Sequence, residues 1–314
     1  MKLTPIVPFE PVIADLPPAG EQWIAQIKWD GVRVLSYYDG CSTELINRRQ
    51  NYRTKQYPEI AAAESYCKAG SAILDGEVIA LSEGKPSFHE VMRRDSLRKE
   101  SAIASTVRQI PILYMVFDIL YCNGVWTLDR PFLERRSLLE EMLRPHPHVQ
   151  AVPSYNDPAA LLAAARAQGL EGIVCKDVNS VYSPGGKDKR WLKCKIISDL
   201  NAVAGGVTFR DGTVNAVLLG LYGDDGRLHY IGHAGTGKMT VNDWRELTAL
   251  SHRLAAQDMP FASLPQRVKG AFWIRPELVF KIHFLEWTDS GTLRHPSIQA
   301  RLDLSPSECR LPKR

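Results

Sequence analysis

The stretch Lys28-Trp29-Asp30-Gly31-Val32-Arg33 decides how the rest of the sequence reads. Trp23 to Lys28 predicts one strand, Asp30-Gly31 a tight turn, and Val32 to Tyr38 a second strand. An amine at the end of one strand and a guanidinium at the start of the next then face one pocket. Asp39-Gly40 predicts a two-residue hairpin into a strand from Ser42 to Asn47, so the chain begins as antiparallel sheet.

Downstream, Ser71 to Leu74, running on past Asp75-Gly76, and Ile112 to Tyr121, ending at Asn123-Gly124, read as strands around a charged helical stretch, Phe88 to Glu100. Helices are expected over Glu134 to Leu143 and Pro158 to Ala167, and strands over Glu171 to Lys176 and Arg190 to Ile196. Strands and helices alternate without Rossmann regularity. Beyond about residue 198 the texture changes. Gly205-Gly206, Asp211-Gly212, Asp224-Asp225-Gly226 and Gly235-Thr236-Gly237 punctuate short apolar strands, while Trp244, Leu247, Leu250 and Leu254 mark one amphipathic helix. The expected architecture is α+β: antiparallel sheets with flanking helices over 1–197, then an OB-fold β-barrel over 198–314.

Composition bounds the function only loosely. The chain has 314 residues, 45% of them hydrophobic, enough for a substantial core, and 39 Lys+Arg against 35 Asp+Glu give a formal charge of +4, too small to announce a nucleic-acid partner. Cys41, Cys67, Cys122, Cys175, Cys194 and Cys309 contain no C-x-x-C pair, which argues against a zinc site and fits reduced thiols in a cytoplasm. No apolar run approaches the roughly 20 residues a membrane span needs, and Met1 to Pro8 does not read as a secretion signal.

Lys28 needs help to act as a nucleophile, because a lysine amine is protonated near neutral pH. In Arg190-Trp191-Leu192-Lys193-Cys194-Lys195 the strand period puts Lys193 and Lys195 on one face, where paired ammonium groups suit a phosphate and are expected to depress the Lys28 pKa. Carboxylates come from Asp75-Gly76-Glu77 and Glu171-Gly172, oxygen ligands of a kind that suits Mg²⁺. Singly, each motif is more often a solvated turn or the wet face of an edge strand than a functional site. For Phe117 strand parity does not exclude a core aromatic, and only its place before Asp118 favours stacking; Lys176, on the strand face opposite Glu171, reads as solvated and outside the site.

Taken together and in this order, the motifs resemble the ATP-dependent DNA ligases of the covalent nucleotidyltransferase superfamily. Lys28 to Arg33 looks like motif I, Asn47-Arg48 the basic motif after it, Asp75 to Glu77 motif III, and Met115-Val116-Phe117-Asp118 motif IIIa. Glu171 to Lys176 looks like motif IV and Trp191 to Lys195 motif V. The C-terminal Glu286-Trp287-Thr288 and Leu293-Arg294-His295-Pro296-Ser297 resemble the barrel of the ligase module of bacterial non-homologous end-joining enzymes.

The resemblance implies that Lys28 attacks the α-phosphorus of ATP, expelling pyrophosphate and forming a lysyl-AMP phosphoramidate. AMP then passes to a DNA 5′-phosphate, and a 3′-hydroxyl displaces it. Phe117 is implied to stack on adenine, Glu77 to bond the ribose, Arg33 and Arg48 to hold ribose and phosphate, and Lys193 with Lys195 to contact the α-phosphate. Glu171 would bind Mg²⁺ or Mn²⁺, and Arg294 and Arg301 match motif VI.

The sequence departs from the family pattern at four places. Gln26 stands where the family usually has Glu, Arg49-Gln50-Asn51 where small turn residues usually follow Arg48, Lys187 where an arginine commonly precedes motif V, and Leu304 where lysine is usual. Gln26 still offers a side-chain amide to adenine, and Lys187 keeps its charge without the bidentate fork.

The implied partners are nicked or broken double-stranded DNA and a bacterial Ku-type end-binding protein, without a membrane, in a bacterial cytoplasm at the nucleoid. Arg210, Lys238, Arg267 and Lys269 are available in the barrel for phosphate contacts. An RNA ligase, a capping guanylyltransferase, an NAD-dependent ligase and a non-catalytic DNA-binding module are the competing readings.

Overall fold

The computed structural model describes residues 4–82, 84–196, 198–265, 268–288 and 290–312. Arg267, expected among the surface cations of the barrel, lies outside them. The chain forms two compact units, Met1–Ile196 and Ile197–Arg314. No helix among the described residues is long and apolar enough to cross a membrane.

The first unit contains eleven described strands. They are β1 (Glu10–Ile13), β2 (Trp23–Ile27), β3 (Val32–Tyr38), β4 (Thr43–Asn47), β5 (Ala72–Ser82), β6 (Lys85–Pro86), β7 (Ile112–Cys122), β8 (Val125–Trp126), β9 (Val149–Ala151), β10 (Gly172–Asp177) and β11 (Lys187–Lys195). Its α-helices are α1 (Phe88–Asp95), α2 (Glu100–Gln109), α3 (Phe132–Met142) and α4 (Pro158–Ala167). One sheet runs β1-β11-β10-β2; the other runs β4-β3-β5-β7-β8, with β6 on β5 and β9 on β7.

The opening antiparallel sheet is formed by β3 and β4, whereas the tight turn at Asp30-Gly31 does not join two strands of one sheet. β2 pairs with β10 and β3 with β5, so Lys28 to Gly31 cross from one sheet to the other. That crossing places the amine and the guanidinium on facing layers. The second expected hairpin is also longer than two residues: Tyr38 pairs with Thr43, and the Asp39 carboxylate accepts the Cys41 and Ser42 N–H groups to hold a four-residue loop. Asn123-Gly124 does form a two-residue turn, with φ of 50° and 89°.

Side-chain alternation then builds the layers. Val34, Leu74, Val78 and Ala80 turn to one face of the larger sheet, into a core with Tyr57, Tyr66, Val91 and Leu139. Leu35, Tyr37 and Ile73 turn to the other, meeting Phe9, Tyr182 and Trp191. The smaller sheet buries Ala25, Ile173, Cys175 and Cys194 against Leu161 and Ala165 of α4. Asp157 caps α4 at the Ala160 N–H, Pro158 starts it, and Gly169 at φ 67° stops it. The expected single helix over Phe88 to Glu100 is instead α1 and α2, separated by Ser96 to Lys99.

The second unit contains β12 (Ser198–Arg210), β13 (Thr213–Tyr222), β14 (Leu228–Ala234), α5 (Val241–Arg253), β15 (Ala271–Trp273), β16 (Val279–Phe284) and β17 (Ser297–Leu302). The strand order is β14-β13-β12-β16-β17, with β15 on β12. Gly237 bridges Ile298 in parallel, the Lys238 N–H donating to the Ile298 carbonyl at 2.7 Å, which brings the chain after β14 alongside β17. A five-strand barrel closed this way, with α5 between its third and fourth strands, has the OB-fold arrangement.

Gly205-Gly206, read from sequence as punctuation, lies inside β12 at a bulge. The rings of Phe261 and Trp273 occupy the space a Cβ would need there, so the small residues let the barrel pack. Thr240 and Asp243 form the capping box of α5.

Candidate active site

Lys28 sits just past the end of β2, where its N–H donates to the Gly172 carbonyl. Its Nζ lies 2.6 and 2.7 Å from the two oxygens of Glu171, whose side chain is 3% exposed. Lys195 Nζ approaches the same carboxylate at 3.9 Å. Glu171 stands before β10 rather than within it. Gly172 follows at φ 154°, where a Cβ would collide with the Cys194 carbonyl. Parity therefore does not govern Glu171.

The expected depression of the Lys28 pKa is corrected. Burial alone would push the amine down, but Glu171, by charge and hydrogen bond, outweighs burial and holds Lys28 above the ordinary lysine value. In this form the nucleophile is a paired ammonium. Lys193, opposite Val174 on β10, and Lys195, opposite Gly172, alternate with Leu192 and Cys194, which face α4.

The larger sheet supplies the facing wall. Arg33 donates in a fork to Asp75, Nε to Oδ1 at 2.9 Å and Nη2 to Oδ2 at 2.6 Å, and Nη1 donates to the Phe9 carbonyl at 2.7 Å. Asp75, fully buried, also accepts the Tyr182 hydroxyl at 2.8 Å. Glu77, opposite Arg33 in register, is only partly buried. Burial pushes its carboxyl up to about 7; Lys28 and Arg33 pull it down, and Glu171 pushes it further up.

Phe117 is the extra residue of a bulge, since Asp118 pairs with Asp75 and Val116 with Gly76. A bulge re-aims the side chain it carries. The Phe117 ring lies beside Ile79, Met115 and Val152, with the Arg33 Cζ 5.2 Å from its centroid.

Gln26 is 3% exposed and donates from Nε2 to Ser154 Oγ at 3.0 Å and the Val152 carbonyl at 3.4 Å. A carbonyl can only accept, so the amide nitrogen belongs on that side and Oε1 is left as an acceptor. Sequence reasoning had no signal for Val152 and Ser154, which are more than 120 residues away along the chain.

Arg48 and Lys187 are exposed and meet at Glu10, at 3.1 and 4.0 Å. The Asn47 side chain accepts the Arg49 and Asn51 N–H groups, shaping the turn that presents Arg48. In the second unit Arg294 pairs with Glu286 at 2.6 Å, both exposed, and Arg301 lies exposed on β17 opposite Phe280. Leu304 packs against the barrel core, which explains a leucine there. Lys269 lines a cavity of about 600 Å³ with Thr208, Asn215 and His233.

Lys176 overturns its expected place in solvent. It is 1% exposed, donates to the Phe117 carbonyl at 3.2 Å, and lies among the rings of Phe117, Phe132 and Trp191. Strand alternation puts it on the same face of the small sheet as Val174, turned toward the larger sheet.

Among the described residues no three His, Cys, Asp or Glu side chains gather into a metal cage. A Mg²⁺ on Glu171 would complete its shell with phosphate oxygens and water, a mode Mg²⁺ commonly takes. A buried carboxylate next to several cations, in a cleft walled by an aromatic ring, suits a nucleotide whose phosphates reach the cations.

Residues 9–195 match the family model of the ATP dependent DNA ligase domain, and residues 210–303 that of the ATP dependent DNA ligase C terminal region. The chain is 30% identical over 296 residues to the multifunctional non-homologous end joining protein LigD of Mycolicibacterium smegmatis, covering 92% of this chain and 37% of that protein. It is 32% identical over 300 residues to a DNA ligase of Methanothrix thermoacetophila, covering 90% and 52%. It thus spans about a third to a half of these relatives. Mycobacterial DNA ligase D, solved complexed with ATP and MES, superposes at a TM-score of 0.71 and 28% identity, with 97% of each chain covered. With the first of the two family models alone taking in more than half of the residues, the chain belongs to the ATP-dependent DNA ligase family.

Proposed function

We propose that this chain is a DNA ligase that uses ATP to seal 5′-phosphate/3′-hydroxyl breaks, with an adenylation domain over 1–197 and an OB-fold domain over 198–314. The observation that carries the reading is the Lys28–Glu171 pair, set in a cleft between two sheets with Lys195 beside it. Lys28 Nζ attacks the α-phosphorus, the bond to the β-phosphate oxygen breaks, and pyrophosphate leaves with that electron pair. The attacking form is the neutral amine, its ammonium proton already given up to solvent; on bonding to phosphorus the nitrogen releases one further proton to solvent, and AMP stays on nitrogen. A DNA 5′-phosphate oxygen then takes the AMP from Lys28, and a 3′-hydroxyl displaces AMP to close the strand.

In this reading Lys193 and Lys195 neutralise the α-phosphate, and Arg33 and Arg48 hold ribose and phosphate. Glu77 accepts from the ribose, and Phe117 stacks on adenine. Lys187 supplies further charge to the phosphates, and Arg294 and Arg301 are read as the motif VI arginines of the second unit. Glu171 would hold Mg²⁺ or Mn²⁺, whose charge would stabilise the phosphates during transfer. Incubation with α-labelled ATP and Mg²⁺, followed by nicked duplex DNA, tests the whole: protein label that moves into a sealed strand supports it. Label from GTP or NAD instead, or sealing of nicked RNA alone, transfers the chain to another reading.

Gln26 gives the nucleotide preference. Its free Oε1 accepts from the 6-amino group of adenine and repels the 6-oxo group of guanine. Gln26→Leu is therefore expected to raise the ATP KM about tenfold and to narrow the preference for ATP over GTP. A KM for each nucleotide checks this, and an unchanged ATP/GTP ratio removes Gln26 from base recognition.

The end-joining relatives make repair of broken ends in a bacterial cytoplasm, at the nucleoid, the proposed role. A Ku-type end-binding protein is the proposed partner. Joining of linear duplex with and without it measures that dependence.

A further inference from the structure

Lys176 occupies a place that no step of the proposed reaction uses. Its Nζ lies 4.5 Å from the Phe117 centroid, 4.5 Å from Phe132 and 4.0 Å from Trp191, while its N–H donates to the Phe117 carbonyl. The side chain starts on β10 of the small sheet and ends on β7 of the large one, so it spans the cleft. Asp118 and Asp75 attract it; Arg135 and Arg33 repel it. Burial pushes the amine down to about 7. A methionine of similar length would fill the same space without that desolvation cost and keep its contacts with the rings. The ammonium is therefore a costly way to fill a hole, and its hydrogen bond ends on Phe117.

We infer that Lys176 is a positioning residue for the nucleotide: its ammonium holds the Phe117 ring and backbone in place and draws on the ring's π density, favouring the stack of adenine against it. A cation beside an aromatic face is attracted by the ring quadrupole, and a ring so polarised meets an electron-rich purine more favourably. This rests on the ligase reading, in which Phe117 meets adenine. AMP uptake by the wild type tests that reading by itself, whereas comparison of variants tests the role of Lys176.

The experiment is a double-mutant cycle on self-adenylation at about pH 6, where the Lys176 amine is mostly the ammonium, with KM and kcat for ATP measured separately. Lys176→Met is expected to raise the KM about tenfold with kcat within about twofold of wild type. In a Phe117→Leu background the same substitution is expected to change the KM less than about twofold. An equal effect in both backgrounds, an unchanged KM, or a fall in kcat alone overturns the inference. Should Lys176→Met fail to fold, Lys176→Arg decides: it keeps a cation, so a KM within about threefold of wild type is expected, and a tenfold rise sinks the proposal.

Discussion

Replacing Lys28 by alanine is expected to lower AMP uptake from labelled ATP by on the order of 10⁴-fold or more, with nick sealing from ATP lost alongside it. The neighbouring amine of Lys195 cannot substitute: it meets Glu171 from the adjoining strand at 3.9 Å, whereas Lys28 spans the same carboxylate at 2.6 and 2.7 Å. Lys28→Arg should be equally inactive, since a guanidinium keeps its proton and its charge but offers no free electron pair. Both variants should fold, because Glu171 keeps Lys195 as a partner; a melting temperature lowered by about 5 °C or less is the check. A nick already carrying AMP on its 5′-phosphate bypasses the lysine, so Lys28→Ala should still seal it. Activity on that substrate separates loss of the nucleophile from loss of the fold.

The same pair sets the sign of the pH dependence. With Lys28 held above the ordinary lysine value by Glu171, its neutral fraction at pH 7 is very small and grows with pH. Self-adenylation at saturating ATP should therefore rise from pH 6 to pH 9. It should level off only where the amine titrates after ATP has displaced Glu171. A rate that falls over this interval would mean that the reactive group is an acid.

What the sequence made legible was chemistry spaced along strands. Lys193 and Lys195 on one face, with Leu192 and Cys194 on the other, followed from a period of two, and Asp211-Gly212 and Asn123-Gly124 named their own turns. What it concealed depended on which strand lies beside which. Asp30-Gly31 looks like a hairpin from either side, and nothing local shows that β2 and β3 belong to different sheets. Helix α2 buries little besides Ile103, so its apolar period is faint. Lys176 was misplaced because parity was counted from Glu171, which stands outside the strand, and because a lysine is ordinarily a surface residue. The partners that hold Arg33 and Gln26 in place come from distant parts of the chain, which a single sequence does not bring together.

Asp118→Ala is expected to destabilise the first unit by about 3–5 kcal/mol. The residue follows Phe117 in a motif that reads as catalytic, yet its carboxylate never reaches the cleft. Asp118 and Arg135 are both 0% exposed and joined by two hydrogen bonds, at 2.8 and 2.9 Å. Arg135 also donates to the carbonyls of Arg130 and Ser180, so one guanidinium ties β7, the start of α3 and the segment after β10. Removing the carboxylate leaves that guanidinium buried without its counter-charge, which costs more than the pair itself contributes. Thermal melting should show a drop of roughly 10 °C. Asp118→Leu combined with Arg135→Met should melt above Asp118→Leu alone, because an apolar pair strands no charge. A drop under about 2 °C for Asp118→Ala would show that the pair is dispensable. Because Asp118 anchors the bulge that turns Phe117 toward the cleft, the ATP KM of the single variant should rise even below its melting point.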